Sequence, residues 1–397
     1  MWLVAVLAAS VLAAMGLGAQ DDGPRQGRGV PVKPGEECPP GTTLVRVGRC
    51  QAPEWAAPSI VDYRPEPTLV VDEHPVPRAR FPVIDIHSHT GPTPQTIDQL
   101  IKEMDALNIR VLNNLSGGFG RDLKQRVEFI RGTKYAGRFT LFANGLNGFR
   151  DVEAGYGQKA AAQLEEDVRN GAIGFKIFKQ TGMDTPKKDG SRLKISDPEL
   201  APIWAAAARL NIPVIIHTAE PQEFFHQPDM HNERWLELAL YPDRRQYLNK
   251  GVTFEQLTAE RNDLYAKNPK TRFIAAHFGW HANNFSLAAK LLDEHPNVVA
   301  ELAAILYDLG RQPRAAHDFF VKYQDRILFG KDTYAPAEFP YYWRVLETND
   351  EYFDYYRDYH AFWKLYGMGL PDAVLRKVYY QNALRVTPGL PQSGWPR

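Results

Sequence analysis

From Phe81 onward, short apolar runs alternate with stretches whose apolar residues recur every three or four positions. The runs are PVIDIH (82–87), RVLNNL (110–115), FTLFAN (139–144), IGFKIF (173–178), PVIIHT (213–218), RFIAAH (272–277), NVVAEL (297–302) and RILFGKD (326–332). Such runs, rich in Val and Ile and nearly free of polar alternation, predict strands buried on both faces. Strands that alternate with helices predict parallel βαβ units. The helices carry their own signals. Over 94–107, Ile97, Leu100, Ile101, Met104 and Leu107 share one face. Asp197 before Pro198 is a cap followed by a first-turn proline, opening the helix that holds Leu200, Ile203 and Trp204. Gly171 closes the helix that starts near Tyr156. Segments at 253–267, 284–295, 313–324 and 371–386 complete the alternation. The pattern by itself fits a closed (β/α)8 barrel or an open doubly wound sheet.

Before Phe81 the texture differs. Residues 1–20, MWLVAVLAASVLAAMGLGAQ, form one apolar run that ends in small residues and has no basic flank after it. That run predicts a secretory signal cleaved between Gly16 and Gln20. An uncleaved N-terminal anchor is the other reading, because no Lys or Arg precedes the run. Residues 21–80 are rich in Pro, Gly and charge and predict an extended N-terminal arm. Within it Cys38 and Cys50, the two cysteines of the chain, bracket PPGTTLVRVGR. A disulfide there is the simple expectation in an oxidising compartment, worth about 3 kcal/mol through restriction of the unfolded chain. Two free thiols in a loose segment are the alternative. Signal and cysteine pair together predict a periplasmic or secreted protein. The expected organisation is signal peptide 1–20, arm 21–80, barrel domain 81–388 and tail 389–397.

Composition narrows the partners. A formal net charge of +0 argues against nucleic acid, because a phosphate-binding surface needs an excess of Lys and Arg. Nor is there an electrostatic reason to sit on an anionic membrane, which enters only through an uncleaved leader. A small-molecule substrate fits better.

Polar residues at the strand ends separate the two architectures. Asp85, His87 and His89 sit at the first run, Lys176 within the fourth, His217 at the end of the fifth, His277 at the sixth and Asp332 at the eighth. In a (β/α)8 TIM barrel all C-terminal strand ends open on one face, so these residues converge. An open sheet would hold the first and last strands apart. We therefore expect the barrel, with an N-terminal extension. His87 and His89 are two apart on a strand and point to one side, so both imidazoles can reach one ion. Neutral imidazole plus a carboxylate suits Zn2+, Fe2+, Mn2+ or Ni2+, and a catalytic site keeps one position open for water. A lone HxH says little. With His on strands five and six and Asp on strand eight, in that order, it points to a shared metal site.

On VIDIHSH, IGFKIF, PVIIHTAEP, FIAAHFG, ILFGKD and the closing VYYQNALRV, the segment from Phe81 to about Pro388 resembles the amidohydrolase superfamily. It is most similar to the branch containing aminocarboxymuconate semialdehyde decarboxylase and related hydrolases. The resemblance implies that His87, His89, His217 and Asp332 hold one divalent metal, Zn2+ first, with Mn2+ or Fe2+ as substitutes. It also implies that Asp332 takes a proton from the attacking water, and that His277 polarises the substrate or orients that water. Lys176 fits two roles: an unmodified catalytic-site lysine neutralised by Asp332 or Glu301, or a carboxylated lysine bridging a second metal. Glu301 is expected to orient a ligand or to pair with Lys176. His226, His231 and His281 are weaker candidates for substrate contact, and His295 and His317 read as surface.

Two long insertions follow the fifth and eighth strands, at 220–251 and 333–370, and the second is dense in aromatics. Aromatic walls would suit a ring-bearing substrate, with Arg311 or Arg314 available for a carboxylate. The plainer reading is a helical lid, or a contact between subunits of a homo-oligomer, whose aromatics are mostly core. The leading expectation is hydrolysis of a C–N or C–O bond (amide, lactam, lactone or ester) by metal-activated water. The same ligands serve non-oxidative decarboxylation of an aromatic or muconate-like acid. A non-catalytic binding protein on the same barrel is a third reading, which the intact ligand set and His277 disfavour.

Overall fold

The computed structural model of the chain describes residues 29–247, 251–360 and 362–396, so the leader read at 1–20 lies outside them. The chain forms two compact units, divided between Pro65 and Glu66. In the first, the short strands Val30–Pro31, Thr43–Arg46 and Arg49–Gln51 pair antiparallel, with Arg49–Gln51 in the middle. Gly48, at φ 78°, makes the tight turn between the last two. Cys38 and Cys50 are joined in a disulfide. Among the described residues of this unit only Cys50 is buried. So small a unit has no core of its own, and a covalent link takes that place. The second unit begins at Glu66, so 66–80, read from sequence as arm, falls in the unit that holds the barrel. There the His74 amide and Nδ1 lie 2.7 and 2.6 Å from the Asp350 carboxylate.

Eight strands follow one another around the second unit: β1 (Val83–Ser88), β2 (Ile109–Asn114), β3 (Phe139–Leu141, resuming as Ala143–Asn144), β4 (Phe175–Ile177), β5 (Val214–Ile216), β6 (Phe273–Ala275), β7 (Val298–Glu301) and β8 (Ile327–Leu328). Each pairs in parallel with the next. The two pieces of β3 are bridged at Phe142, whose amide donates to Asn114 O at 3.0 Å. The ring closes between β8 and β1. There Ile86 N donates to Phe329 O (3.1 Å), Asp332 N donates to His87 O (2.6 Å), and Ser88 pairs in parallel with Asp332. This is a closed (β/α)8 barrel, as the convergence of strand-end residues requires.

Helices α1 (Ile97–Leu107), α2 (Gly120–Arg131), α3 (Tyr156–Asn170), α4 (Ala201–Arg209), α5 (Phe254–Lys267), α6 (Phe285–Glu294) and α7 (Pro313–Lys322) pack outside the strands, and the helical run 372–386 closes the set. Their starts obey local chemistry: Asp197, Thr253 and Asn284 each accept a backbone N–H of the following turn. The sequence pattern missed α2, whose buried face is only Leu123, Val127 and Ile130 in a run dominated by charge. Among the described residues no helix is long and apolar enough to cross a membrane. In the second insertion, α8 (Phe339–Glu347) buries Phe339, Tyr342 and Trp343 completely. Those aromatics are core, as the plainer reading expects.

Candidate active site

His87 and His89 leave the end of β1 with their rings 5.3 Å apart. His87 is fully buried, and its Nδ1 lies 2.8 Å from Glu301 Oε1. His89 Nδ1 lies 2.8 Å from Ser116 Oγ. With both Nδ1 atoms engaged, both Nε2 atoms turn to Asp332. The Nε2 of His89 is 3.3 Å and that of His87 3.5 Å from the same oxygen, Oδ1. Donors at about 2.0–2.1 Å from one tetrahedral cation stand roughly 3.3–3.4 Å from each other. The spacing therefore matches a shared ion, and His87, His89 and Asp332 form a three-donor group. Burial, with Lys176 beside it, holds His87 well below its ordinary pKa, so it is neutral and able to donate a lone pair. Burial would raise the Asp332 carboxyl, but the His89 contact and the surrounding imidazoles outweigh it and keep the group ionised.

His217 stands beside this group rather than within it. Its Nδ1 is 3.2 Å from His277 Nε2. His277 Nδ1 lies 2.9 Å from Ala303 O, so that nitrogen carries the proton and Nε2 accepts from His217. This tautomer, assigned from the hydrogen-bond network, leaves His217 Nε2 as a bare lone pair. That atom is buried and has no hydrogen-bond partner among the described residues. The nearest carboxylate, Glu220, stands at 3.6 Å, beyond hydrogen-bond range. A buried lone pair facing no donor is what a metal ligand offers, so three imidazoles and a carboxylate fit a divalent cation of the N/O-binding class.

Glu301 serves both histidine sets. Its Oε1 accepts from His87 Nδ1 and, at 2.7 Å, from the His277 amide, and its Oε2 accepts from Ala303 N at 2.7 Å. His87 Nδ1 is one of the three N–H groups it holds, so it orients His87, the first of the two roles read from sequence. Lys176 is fully buried on β4, its Nζ 3.3 Å from His87 Nε2 and 5.6 Å from the centre of the Phe178 ring. Burial brings its pKa down to about 8, against the pull of Asp332 and Glu301. It lines the site.

His277 begins an unusual turn. His277, Phe278, Gly279 and Trp280 take φ values of 56°, 59°, 61° and 57°. Left-handed backbone costs a residue with a Cβ roughly 1–2 kcal/mol, so the surroundings must enforce it. Glu301 holds the first amide, and Arg261 Nη1 donates to Gly279 O at 2.8 Å. Phe278 stacks on Phe320 at 6.0 Å and 9°. A Cβ on Gly279 would lie 2.6 Å from Arg261 Nη1, so only glycine fits. The turn lays the Trp280 indole on the His277 imidazole, 4.6 Å apart and tilted by 20°.

Other candidates are occupied elsewhere. His281 Nε2 is 3.2 Å from Arg261 Nη2, and burial lowers its pKa to about 3. His295, read as surface, is buried, packed edge-on against Tyr265 at 5.8 Å. His317 is partly buried and donates from Nδ1 to Met368 O at 2.8 Å. Arg311, offered for a substrate carboxylate, is held by Glu233 and Asp308, each at 2.9 Å, and lies on the Trp363 ring. His226, His231 and Arg314 are exposed.

Sequence reasoning missed Ser116, Trp280 and the pocket wall. A cavity of about 570 Å3 is lined by Phe119, Phe149 and Phe178 with Asn144, Arg150 and Thr181. The Phe178 ring stands 5.8 Å from that of His89, which ties this wall to the metal-ligand candidates.

The amidohydrolase family model matches residues 84–388. No curated protein matches the sequence. Among solved structures, similarity extends to 2,6-dihydroxybenzoate decarboxylase from Rhizobium, at 15% identity over 78% of this chain and 98% of that one, with a TM-score of 0.46. It extends also to a TIM-barrel protein from Bordetella bronchiseptica, at 16% identity over 75% and 86%, with a TM-score of 0.44. A third is a dihydroxybenzoic acid decarboxylase from Polaromonas sp. JS666 with bound manganese and 2-nitroresorcinol, at 14% identity over 77% and 96%, with a TM-score of 0.47.

Proposed function

This chain belongs to the amidohydrolase family, and from that premise we propose that it is a metal-dependent hydrolase cleaving a C–N or C–O bond of a small substrate: an amide, lactam, lactone or ester. Asp332 carries the reading. One of its oxygens is shared by His87 and His89, yet its side chain remains 30% exposed, so water arriving at the barrel mouth meets an ionised carboxylate. A divalent cation held by His87, His89, His217 and Asp332 would supply Lewis-acid polarisation of a carbonyl and acidify water at the site. Asp332 then takes the proton of the attacking water and returns it to the leaving group. Glu301 keeps His87 in the tautomer that offers Nε2. His277 accepts from His217 Nδ1 and so keeps His217 Nε2 free. Phe119, Phe149 and Phe178 supply an apolar wall on which a ring can lie.

The metal-replete protein, assayed against lactones, esters, amides and aromatic carboxylic acids, should release an alcohol or amine. Carbon dioxide without hydrolysis would move the chain to the decarboxylases. Neither product, with metal bound, would favour a binding protein. We further propose export, supported by the Cys38–Cys50 disulfide.

His277→Ala removes the acceptor that fixes the His217 tautomer, and it should weaken Zn2+ binding by about 10–100-fold, measured by competition with a chelator, and lower turnover with it. Turnover lost at full metal occupancy would instead give His277 a direct part in the chemistry.

A further inference from the structure

The buried lone pair at His217 Nε2 faces a carboxylate. Glu220, three residues further along the chain, is itself buried, and its Oε2 stands 3.6 Å from that nitrogen. The backbone is bent to bring it there. Ala219, also buried, takes a φ of 62°, in the left-handed region that a residue with a Cβ avoids. This turn sets Glu220 back beside the imidazole rather than on a path away from β5. The other carboxylate oxygen, Oε1, is held by Lys179 Nζ, from the segment after β4.

Two acceptors therefore confront each other. The hydrogen bond to His277 leaves His217 Nε2 a bare lone pair, and an ionised carboxylate offers lone pairs alone. Shielded from water, such groups repel unless positive charge lies between them. Lys179 does not lie there, because its ammonium engages Oε1. The gap is close to the 3.3 and 3.5 Å that separate Asp332 Oδ1 from the Nε2 atoms of His89 and His87. A spacing of that order suits donors that share one ion.

We propose, on the premise that His87, His89, His217 and Asp332 hold a divalent cation, that Glu220 Oε2 is a fifth protein ligand of the same ion. The consequence is a choice of metal. A catalytic site keeps one position open. Five protein donors leave one only around an ion that accepts six. Three imidazoles with two carboxylates suit Mn2+ or Fe2+ in that role, whereas Zn2+ is satisfied by four donors. Glu220 moves the preference of the site away from Zn2+.

Metal affinities of the full chain, measured by competition with a chromophoric chelator, test this. Glu220→Gln should weaken Mn2+ binding by at least about 100-fold, the upper end of what loss of a residue behind a ligand costs. Zn2+ should weaken by less than about tenfold. Lys179→Met removes the ion pair but keeps the carboxylate, and should leave Mn2+ affinity near that of the wild type. Unchanged Mn2+ affinity in Glu220→Gln, or an equal loss in Lys179→Met, reduces Glu220 to the partner of Lys179 and leaves the four-ligand site standing. A wild-type chain that binds neither metal overturns both. Should Glu220→Gln not fold, wild-type crystals grown with Mn2+ give an independent answer. The anomalous peak should lie within bonding distance of both His217 Nε2 and Glu220 Oε2, and an ion bonded to His217 but not to Glu220 rejects the fifth ligand.

Discussion

Asp332→Asn should lower kcat/KM by at least about three orders of magnitude, the largest functional effect we expect from a single substitution. The amide is nearly isosteric and, like aspartate, tolerates the φ of 80° at this position. Its backbone N–H still donates to His87 O, so the barrel closes as before. What changes is chemical. An amide oxygen cannot take the proton of water, and a neutral side chain no longer offsets a cation shared with His87 and His89. Circular dichroism should therefore show the wild-type fold with Tm within a few degrees. The rate on whichever substrate the wild type turns over should collapse. Wild-type rates in the metal-loaded variant would remove Asp332 from the mechanism.

Glu301→Gln should weaken Zn2+ binding by about 10–100-fold, although the residue lies behind His87 and is fully buried. The carboxylate accepts from three N–H groups: His87 Nδ1, His277 N and Ala303 N. Glutamine offers one oxygen and one NH2, so at least one donor is left facing another donor. Hydrogen bonds to charged groups contribute about 1.5–3 kcal/mol each, and stability should fall by at least one of them. Competition with a chromophoric chelator measures the affinity, and thermal unfolding measures the stability. A variant that loses stability but binds Zn2+ as tightly as the wild type would make Glu301 a support of the fold alone.

Features governed by local rules were legible before the structure. Six of the eight strands lie within the apolar runs, β1 and β2 overrun theirs by one residue, and the caps at Asp197, Thr253 and Asn284 are local sequence chemistry. His87, His89 and Asp332 could be grouped because a barrel brings all strand ends to one face. Features that depend on side chains meeting across the fold could not be read. Arg261 on α5 reaches Gly279 and fixes the left-handed turn, yet nothing around position 261 announces it. Arg311 looked available for substrate because Glu233, one of its partners, lies far away in the insertion after β5. His295 follows a charged helix end and looks like surface until Tyr265 covers it. Ser116, which engages His89 Nδ1, carries no signal beyond its place after β2.

The closing of the barrel between β8 and β1 has a kinetic side. These strands lie at opposite ends of the barrel sequence, so their pairing closes the largest loop in the fold and is expected to come late in folding. The contact itself is slight, with β8 only two residues long. Yet it runs through Ser88, His87 and Asp332, next to the donors that would share a cation. An ion bound there acts as a clasp on the last-formed contact, absent until the ends have met. Its loss would act mainly on the unfolding rate, so the lifetime of the folded chain would depend on metal supply as much as its turnover does.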